Sequence, residues 1–306
     1  MHGATHGRIP GVHITALFDL HTHTCASDGI LRPEALVSRA KQRGVTLLAV
    51  TDHDTLASYP EAQAAAAAEA IALLPGIEIS TTWRGRGIHV VGLGFDPEHP
   101  VLTRALKDMH QVREARALAI ARALAKAGLS GEQDILRAAQ MEAGEGSIGR
   151  PHFARALVKL GKVSSQAAAF KRFLGNGKPG DVKQDFPEVQ TAVQLISAAG
   201  GVAVLAHPLK YSLTRTKMRE LLGDFIEAGG QAVELISGYQ EPTATADLAR
   251  QLAPFGVHAS IGSDFHLPDQ RWQELGCAGH LPEGLPPVWA LPALAEHPAV
   301  VQAVSV

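Results

Sequence analysis

A chain of 306 residues with 46% apolar side chains suffices for one large α/β domain, or for a domain carrying an insertion. The 28 basic and 30 acidic side chains leave a net charge of −2 with histidine neutral, which excludes a global basic field and confines any nucleic-acid contact to a local site. Two cysteines, Cys25 and Cys277, argue against a disulfide scaffold and fit a reducing cytoplasm, and no apolar run approaches the ~18 residues of a membrane span.

Residues 1–15, "MHGATHGRIPGVHIT", lack the apolar core of a signal peptide and read as a leader, with His2, His6 and His13 uninvolved. Strand-like runs follow at 16–20, 45–51, 73–80 and 88–95. Between the first three lie the helical stretches "RPEALVSRAKQRG", with proline near its first turn and a stop at Gly44, and "YPEAQAAAAAEA". From about 100 to 190 the rhythm breaks into helical patterns alone, the longest being "VLTRALKDMHQVREARALAIARALAKAGL". Strand-like runs return at 201–207, 231–237 and 257–264, with a weaker one at 275–281, and "TAVQLISAAG" and "MRELLGDFIEAGG" supply glycine-closed helices. This alternation predicts parallel strands with crossover helices and a TIM-like barrel of seven or eight units. The expected organisation is a barrel from 16–99 and 191–306, with 100–190 as a helical insertion over its mouth.

The strand ends carry ligand-type side chains. His21 and His23, two apart, face the same side of an extended chain and can reach one metal. Asp19 precedes them on that side and is expected to orient a ligand ring through its second nitrogen. Asp28 lies in the turn "SDG", and "TDHDT" supplies Asp52 and His53, with Asp52 read as an orienting partner. Glu78 sits in the apolar run "GIEIS", where a buried carboxylate needs a cation. His207 closes one strand, and Asp264 and His266 close another. His89 is out of place, since it opens its strand. A lone histidine at a strand end is commonly structural; six segments delivering such groups to the catalytic end of a barrel point to metal ions. Mixed imidazole and carboxylate donors suit Mn2+, Fe2+ or Zn2+. No G-x-S-x-G elbow or P-loop is present, which weakens serine-hydrolase and NTPase readings.

The motifs "DLHTHTCASDG", "TDHD", "GIEIS", "IHVVGLGF", "AHP" and "GSDFH" resemble, in order, those of the PHP (polymerase and histidinol phosphatase) metal-dependent phosphoesterases, over most of 17–281. The insertion, with "GRPHFARALVKLG" and "FLGNGKPGDV", is similar to the branch of bacterial 3′,5′-nucleoside bisphosphate phosphatases and 5′-3′ exoribonucleases. The resemblance implies an α/β fold, a distorted (β/α)7 TIM-like barrel with a trinuclear metal site. It implies His21, His23, Glu78 and Asp264 at one metal, Glu78, His89 and His207 at a second, and Asp28, His53 and His266 at a third. Some relatives carry histidine at the Asp28 position, so the aspartate makes that site harder.

The implied activity is hydrolysis of pAp to AMP and phosphate by metal-activated hydroxide, with Mn2+ expected (Fe2+, Zn2+ or Mg2+ as alternatives) and Asp264 among the catalytic groups. Short single-stranded RNA is the second expected substrate, in a cytoplasmic protein without a membrane or an obligate protein partner. From the insertion, Arg150 is expected to grip a substrate phosphate. His152 is expected to hold phosphate and to protonate the leaving oxygen; the bland alternatives are an ion pair for Arg150 and helix capping for His152. Lys178, in "GNGKPG", is placed in a loop that could close over the ligand. Histidinol-phosphate phosphatase is the competing enzyme reading, and a non-catalytic metal-binding accessory module the competing reading of another class.

Overall fold

A computed structural model describes residues 16–183 and 185–305. The leader, with its three histidines, lies outside the described residues. Seven strands form one sheet in chain order. They are β1 (Leu17–Asp19), β2 (Val45–Val50), β3 (Ala72–Trp83), β4 (Arg86–Leu93), β5 (Val202–Leu205), β6 (Ala232–Ser237) and β7 (His258–Gly262). The sheet curls until its edges meet: Leu20 N–H donates to Ile261 O at 3.1 Å, Asp264 N–H donates to His21 O at 2.8 Å, and Thr22 bridges Phe265. The weak run at 275–281 is no strand. Gly276 and Gly279 take positive φ there (+71° and +69°), so the segment turns instead of extending.

The helices are α1 (Pro33–Gln42), α2 (Tyr59–Glu69), α3 (Pro100–Lys126), α4 (Glu132–Ala143), α5 (Arg150–Lys159), α6 (Gln166–Ala169), α7 (Val189–Ala198), α8 (Arg215–Glu227), α9 (Pro242–Leu252), α10 (Pro292–Ala295) and α11 (Pro298–Val304). Most begin with proline in the first turn, where its missing N–H costs nothing. Among the described residues no helix is long and apolar enough to cross a membrane.

One expectation fails. The strands are not all parallel, because β4 runs antiparallel to both β3 and β5. Only Arg84 and Gly85 separate Trp83 from its partner Arg86, both with φ > 0, so β3 and β4 form a tight hairpin. A parallel return would need a crossover of a dozen residues or more. The reversal explains His89: a strand that descends opens at the end where the others close, and His89 pairs with Ser80, two residues past Glu78.

The main core fills the barrel and its outer helices, with Leu47, Ile77, Val90, Val204 and Ile261 inside it. The segment from α3 to the turn after α6 gathers a second core from Ile120, Leu124, Ile135, Phe153, Leu157 and Leu174. Helix α3 belongs to both, since Leu102 and Met109 pack on the barrel while Ala117 to Leu124 face the second core. Phe153, fully buried there, leaves a large cavity when truncated. Phe153→Ala should therefore destabilise the protein by about 3–5 kcal/mol, read from the urea midpoint.

Candidate active site

Glu78 is the centre of the site. Strand β3 carries it inward with 1% of its surface exposed, between Ile77 and Ile79, which point into the core. Its Oε2 lies 3.1 Å from His21 Nε2, 3.1 Å from His23 Nε2 and 3.3 Å from His53 Nδ1. Its Oε1 lies 2.8 Å from His89 Nδ1 and 2.9 Å from His207 Nε2. Asp264 Oδ1 stands 3.5 Å from His21 Nε2 and 3.3 Å from His23 Nε2. Asp28 Oδ1 lies 3.2 Å from His266 Nε2, and its Oδ2 lies 3.7 Å from His53 Nε2. All nine side chains expected at the metals thus come together in one cluster.

The donor atoms fit divalent metal ions. His21 Nε2, His23 Nε2, His53 Nδ1, Asp28 Oδ1 and Glu78 Oε2 are buried and have no hydrogen-bond partner. They approach one another closely without hydrogen-bond geometry, as lone pairs aimed at a shared point do. Ligands each about 2.1 Å from one ion sit about 3.0–3.5 Å apart, which matches the separations around Glu78 Oε2. Three overlapping donor groups form: His21, His23, Glu78 and Asp264; His23, Asp28, His53 and His266; and His53, Glu78 and His89. The groups share His23, His53 and Glu78, so His23 and His53 are each placed to serve two positions.

Charge follows this crowding. Burial alone would raise the Glu78 carboxyl, but His53, His21 and His89 hold it well below the usual carboxylate range. Asp264 is likewise held low despite burial, by Lys210, His21 and His266. Burial dominates at His53, whose pKa falls to about 3, while at His23 the carboxylates of Asp264 and Glu78 outweigh burial and push it up to about 10.

Backbone strain is concentrated here. His207 (φ +29°), Asp264 (φ +54°) and Asp54 (φ +54°) adopt conformations rare for residues with a side chain. Hydrogen bonds enforce them: His207 N–H donates to Glu234 Oε2 at 2.6 Å, Asp264 N–H to His21 O, and Asp54 N–H to Glu78 O at 2.9 Å.

The orienting partners differ in part from expectation. Asp19 turns no histidine; it accepts Ser263 N–H at 2.8 Å and Gly276 N–H at 2.9 Å, tying β1 to the segments after β7. Glu234 of β6 takes that role, with Oε1 3.1 Å from His21 Nδ1 while Oε2 holds the His207 backbone. A Cβ on Gly262 would stand 2.3 Å from His21 Cβ and 2.9 Å from Glu234 Oε1, so only glycine lets β7 pass behind this pair. Asp52 accepts the hydroxyls of Thr24, Ser27 and Ser58, and the Ser27 hydroxyl lies 3.5 Å from His23 Nδ1, so Asp52 orients that ring at one remove. Tyr211 accepts His89 N–H at 2.8 Å and packs edge-on to His207. Lys210 pairs with Asp264 Oδ2 at the rim.

The helical segment contributes the opposite wall. Arg113 of α3, 5% exposed, donates to Asp54 Oδ2 at 2.6 Å and to Ser80 Oγ at 2.9 Å, locking the segment to the residues that flank His53 and Glu78. Arg150 pairs with Asp181 at 3.4 Å and donates to Leu174 O. His152 is buried, and its Nδ1 accepts Gly149 N–H at 2.9 Å, which caps α5. Both thus make the contacts of their bland alternatives. Lys178 is exposed on the turn whose Gly177 N–H binds Asp181 Oδ2.

Two expected outcomes follow. Glu234→Gln, which weakens the hold on His21 and His207, should lower Mn2+ affinity by about 10–100-fold in a calorimetric titration. Burial, aided by the charge of Arg155, lowers the His152 pKa from 6.5 to about 4. As pH falls, the unfolded chain takes up this proton first, so stability is lost between those two values, up to about 3 kcal/mol. Urea titrations across that window should show a shallower pH dependence for His152→Gln.

A family model described as the PHP domain matches residues 19–132. A 5′-3′ exoribonuclease of Haemophilus influenzae is 45% identical over 276 residues, 90% of this chain and 99% of the relative. A 3′,5′-nucleoside bisphosphate phosphatase of Chromobacterium violaceum is 39% identical over 90% of this chain and 95% of its own. The solved structure of an amidohydrolase from the same organism, with sulfate bound and no metal, covers 90% of this chain and 95% of its own with a TM-score of 0.83 and 39% identity. Similarity of this strength along nine-tenths of the sequence means that the chain belongs with these relatives, in the PHP domain family.

Proposed function

We propose that this protein removes the 3′-phosphate from nucleoside 3′,5′-bisphosphates, pAp to AMP and phosphate, and shortens short 5′-phosphorylated RNA from its 5′ end. The observation that carries the reading is the set of buried, unpartnered donor atoms around Glu78, beside a wall that carries arginine. The relatives' names supply the substrates. The two reactions are one in chemistry. Water adds to phosphorus, the P–O3′ bond breaks, and the 3′-oxygen leaves and is protonated. In pAp that phosphorus carries no further ester; in RNA it carries the rest of the chain.

His21, His23, Asp28, His53, Glu78, His89, His207, Asp264 and His266 would hold the ions, and Mn2+ suits this mixed set best, with Fe2+, Zn2+ and Mg2+ compatible. Bound there, divalent ions supply an acidified water and neutralise charge on the phosphoryl oxygens. The protein's own groups do the positioning. Glu78 spreads its two oxygens over five imidazoles, and Glu234 fixes His21 and the His207 backbone. Lys210 and the Gln273 amide, 3.2 Å away, hold Asp264 by Oδ2, leaving Oδ1 turned to the cage.

Arg150, Lys178 and His152 form the proposed substrate contacts of the outer wall. The Arg150–Asp181 pair is long and partly solvated, so a phosphate can replace the carboxylate. Lys178 projects from the turn beside it. His152 serves as a neutral donor through Nε2–H, since Nδ1 is an acceptor here and a pKa of about 4 makes it a poor acid near neutrality. A cytoplasmic setting fits the two free cysteines.

A panel of phosphoesters with Mn2+ tests the reading. Phosphate should be released from pAp, and 5′-phosphorylated oligoribonucleotides should lose mononucleotides. Preference for histidinol phosphate would move the protein to that branch, and metal binding without any turnover would make it an accessory module. Asp264→Asn and His207→Ala should each cut turnover by more than the about 10–100-fold typical of outer-sphere changes. Unimpaired turnover in either variant would refute the metal-assisted route.

A further inference from the structure

The chain holds three tryptophans, three tyrosines and nine phenylalanines, and among the described residues only two of these rings are exposed: Tyr239 at 65% and Trp272 at 56%. They lie far apart in the chain and side by side in the fold. Tyr239 follows β6, and Trp272 sits in the short turn Arg271–Gln273 after β7. Tyr239 N–H donates to Trp272 O at 2.6 Å. Gly238, at φ +64°, permits this approach, since a Cβ there would stand 2.6 Å from Trp272 O and 3.0 Å from Ser263 O. The Gln240 side chain braces the same loop by donating to Leu235 O and to Thr245 Oγ1, each at 2.7 Å. Two large flat side chains are thus presented to solvent from a backbone that is pinned in place, the form that aromatic contact surfaces take.

Their place is the rim of the metal cage. Strands β6 and β7 run parallel, so both loops emerge at the end where Asp264 does. Beside Trp272, Gln273 Nε2 donates to Asp264 O at 3.0 Å and to its Oδ2 at 3.2 Å. The helical wall stands elsewhere on the rim, pinned to the loops after β1 and β2 by Arg155, which donates to Asp28 O at 3.2 Å, and by Arg113, which holds Asp54. A strand of RNA crossing the cage with its 5′ end at that wall carries what lies beyond the cut toward β6 and β7. Nucleobases have two flat apolar faces, and stacking them on indole and phenol rings requires no particular sequence. We propose that Trp272 and Tyr239 form a stacking platform for the nucleobases 3′ to the scissile phosphate of single-stranded RNA, and so favour a chain over a mononucleotide. This rests on the function proposed above and deepens it.

The test sets the 5′-phosphorylated dinucleotide pApA against pAp, with Mn2+-loaded enzyme. Both present the same 5′ end, and only the dinucleotide carries a base beyond the cut. In Trp272→Ala the ratio of kcat/KM for pApA to that for pAp should fall by about 10-fold, mainly through KM for pApA, and Tyr239→Ala should move it in the same direction. Trp272→Phe, which keeps a flat ring, should restore most of the ratio; Trp272→Leu, which keeps only apolar bulk, should not. Binding is read apart from turnover in the His207→Ala background. There a 5′-phosphorylated tetra-adenylate should quench tryptophan fluorescence, and Trp272→Leu should abolish the quench. An unchanged ratio overturns the proposal, as does full recovery with leucine. An equal loss on pAp overturns it too, because the pair would then hold the base of the released nucleotide. A shifted sedimentation coefficient with an unchanged ratio would make the pair a contact between copies of this chain, and the platform falls. If the wild type hydrolyses neither compound while the tetra-adenylate still quenches Trp272, the platform stands and the proposed function falls.

Discussion

A carboxylate placed in the middle of an apolar strand must be compensated from every side, and Glu78 organises the molecule through that demand. Five imidazoles from four separate segments close on its two oxygens. The strand ends that deliver them cannot all do so with relaxed backbones, and the positive φ angles at His207, Asp264 and Asp54 are the cost. Tertiary hydrogen bonds hold each strained peptide, so the cage is a product of barrel closure instead of local propensity. A second buried carboxylate, Glu234, acts from behind by aiming one ring and fixing one backbone.

The buried Arg113–Asp54 pair extends this order to the helical segment. Asp54 follows His53 and also takes Ser80 N–H, so one carboxylate joins the segment that carries His53, the long hairpin and α3. Breaking such a pair leaves an uncompensated charge, which makes the joint between cage and outer wall rigid. The wall is thus registered to the donors at the level of single side chains, and substrate groups meeting it are registered too.

Much of the site was legible because polar residues at the ends of apolar runs have few structural excuses. His21, His23, Glu78, His207 and Asp264 stand out by that logic alone, and the motif resemblance ordered them. Glu234 carries the same signal, an isolated acid in "AVELIS", but it lies within a strand, where a pattern of polar strand ends does not reach it. The direction of β4 is invisible to alternation, although the two residues between Trp83 and Arg86 are too few for a crossover. Asp19 obeyed the two-residue rule yet serves barrel closure, since periodicity states which face a side chain takes and not which partner it finds. Arg113 reads as part of the polar side of a helix; its burial depends on Asp54 and Ser80, which are distant in the chain.

The descending course of β4 has one more effect. It leaves the chain at the floor of the barrel, and α3, 27 residues or about 40 Å long, is the climb back to the rim. Arginines placed midway along such a shaft are set in both height and azimuth by residue count. Gain or loss of a single residue below them would swing them about 100° around the axis. Side-chain exchange on α3 thus leaves Arg113 in register with Asp54 and Ser80, whereas a change in the number of residues between Pro100 and Arg113 does not.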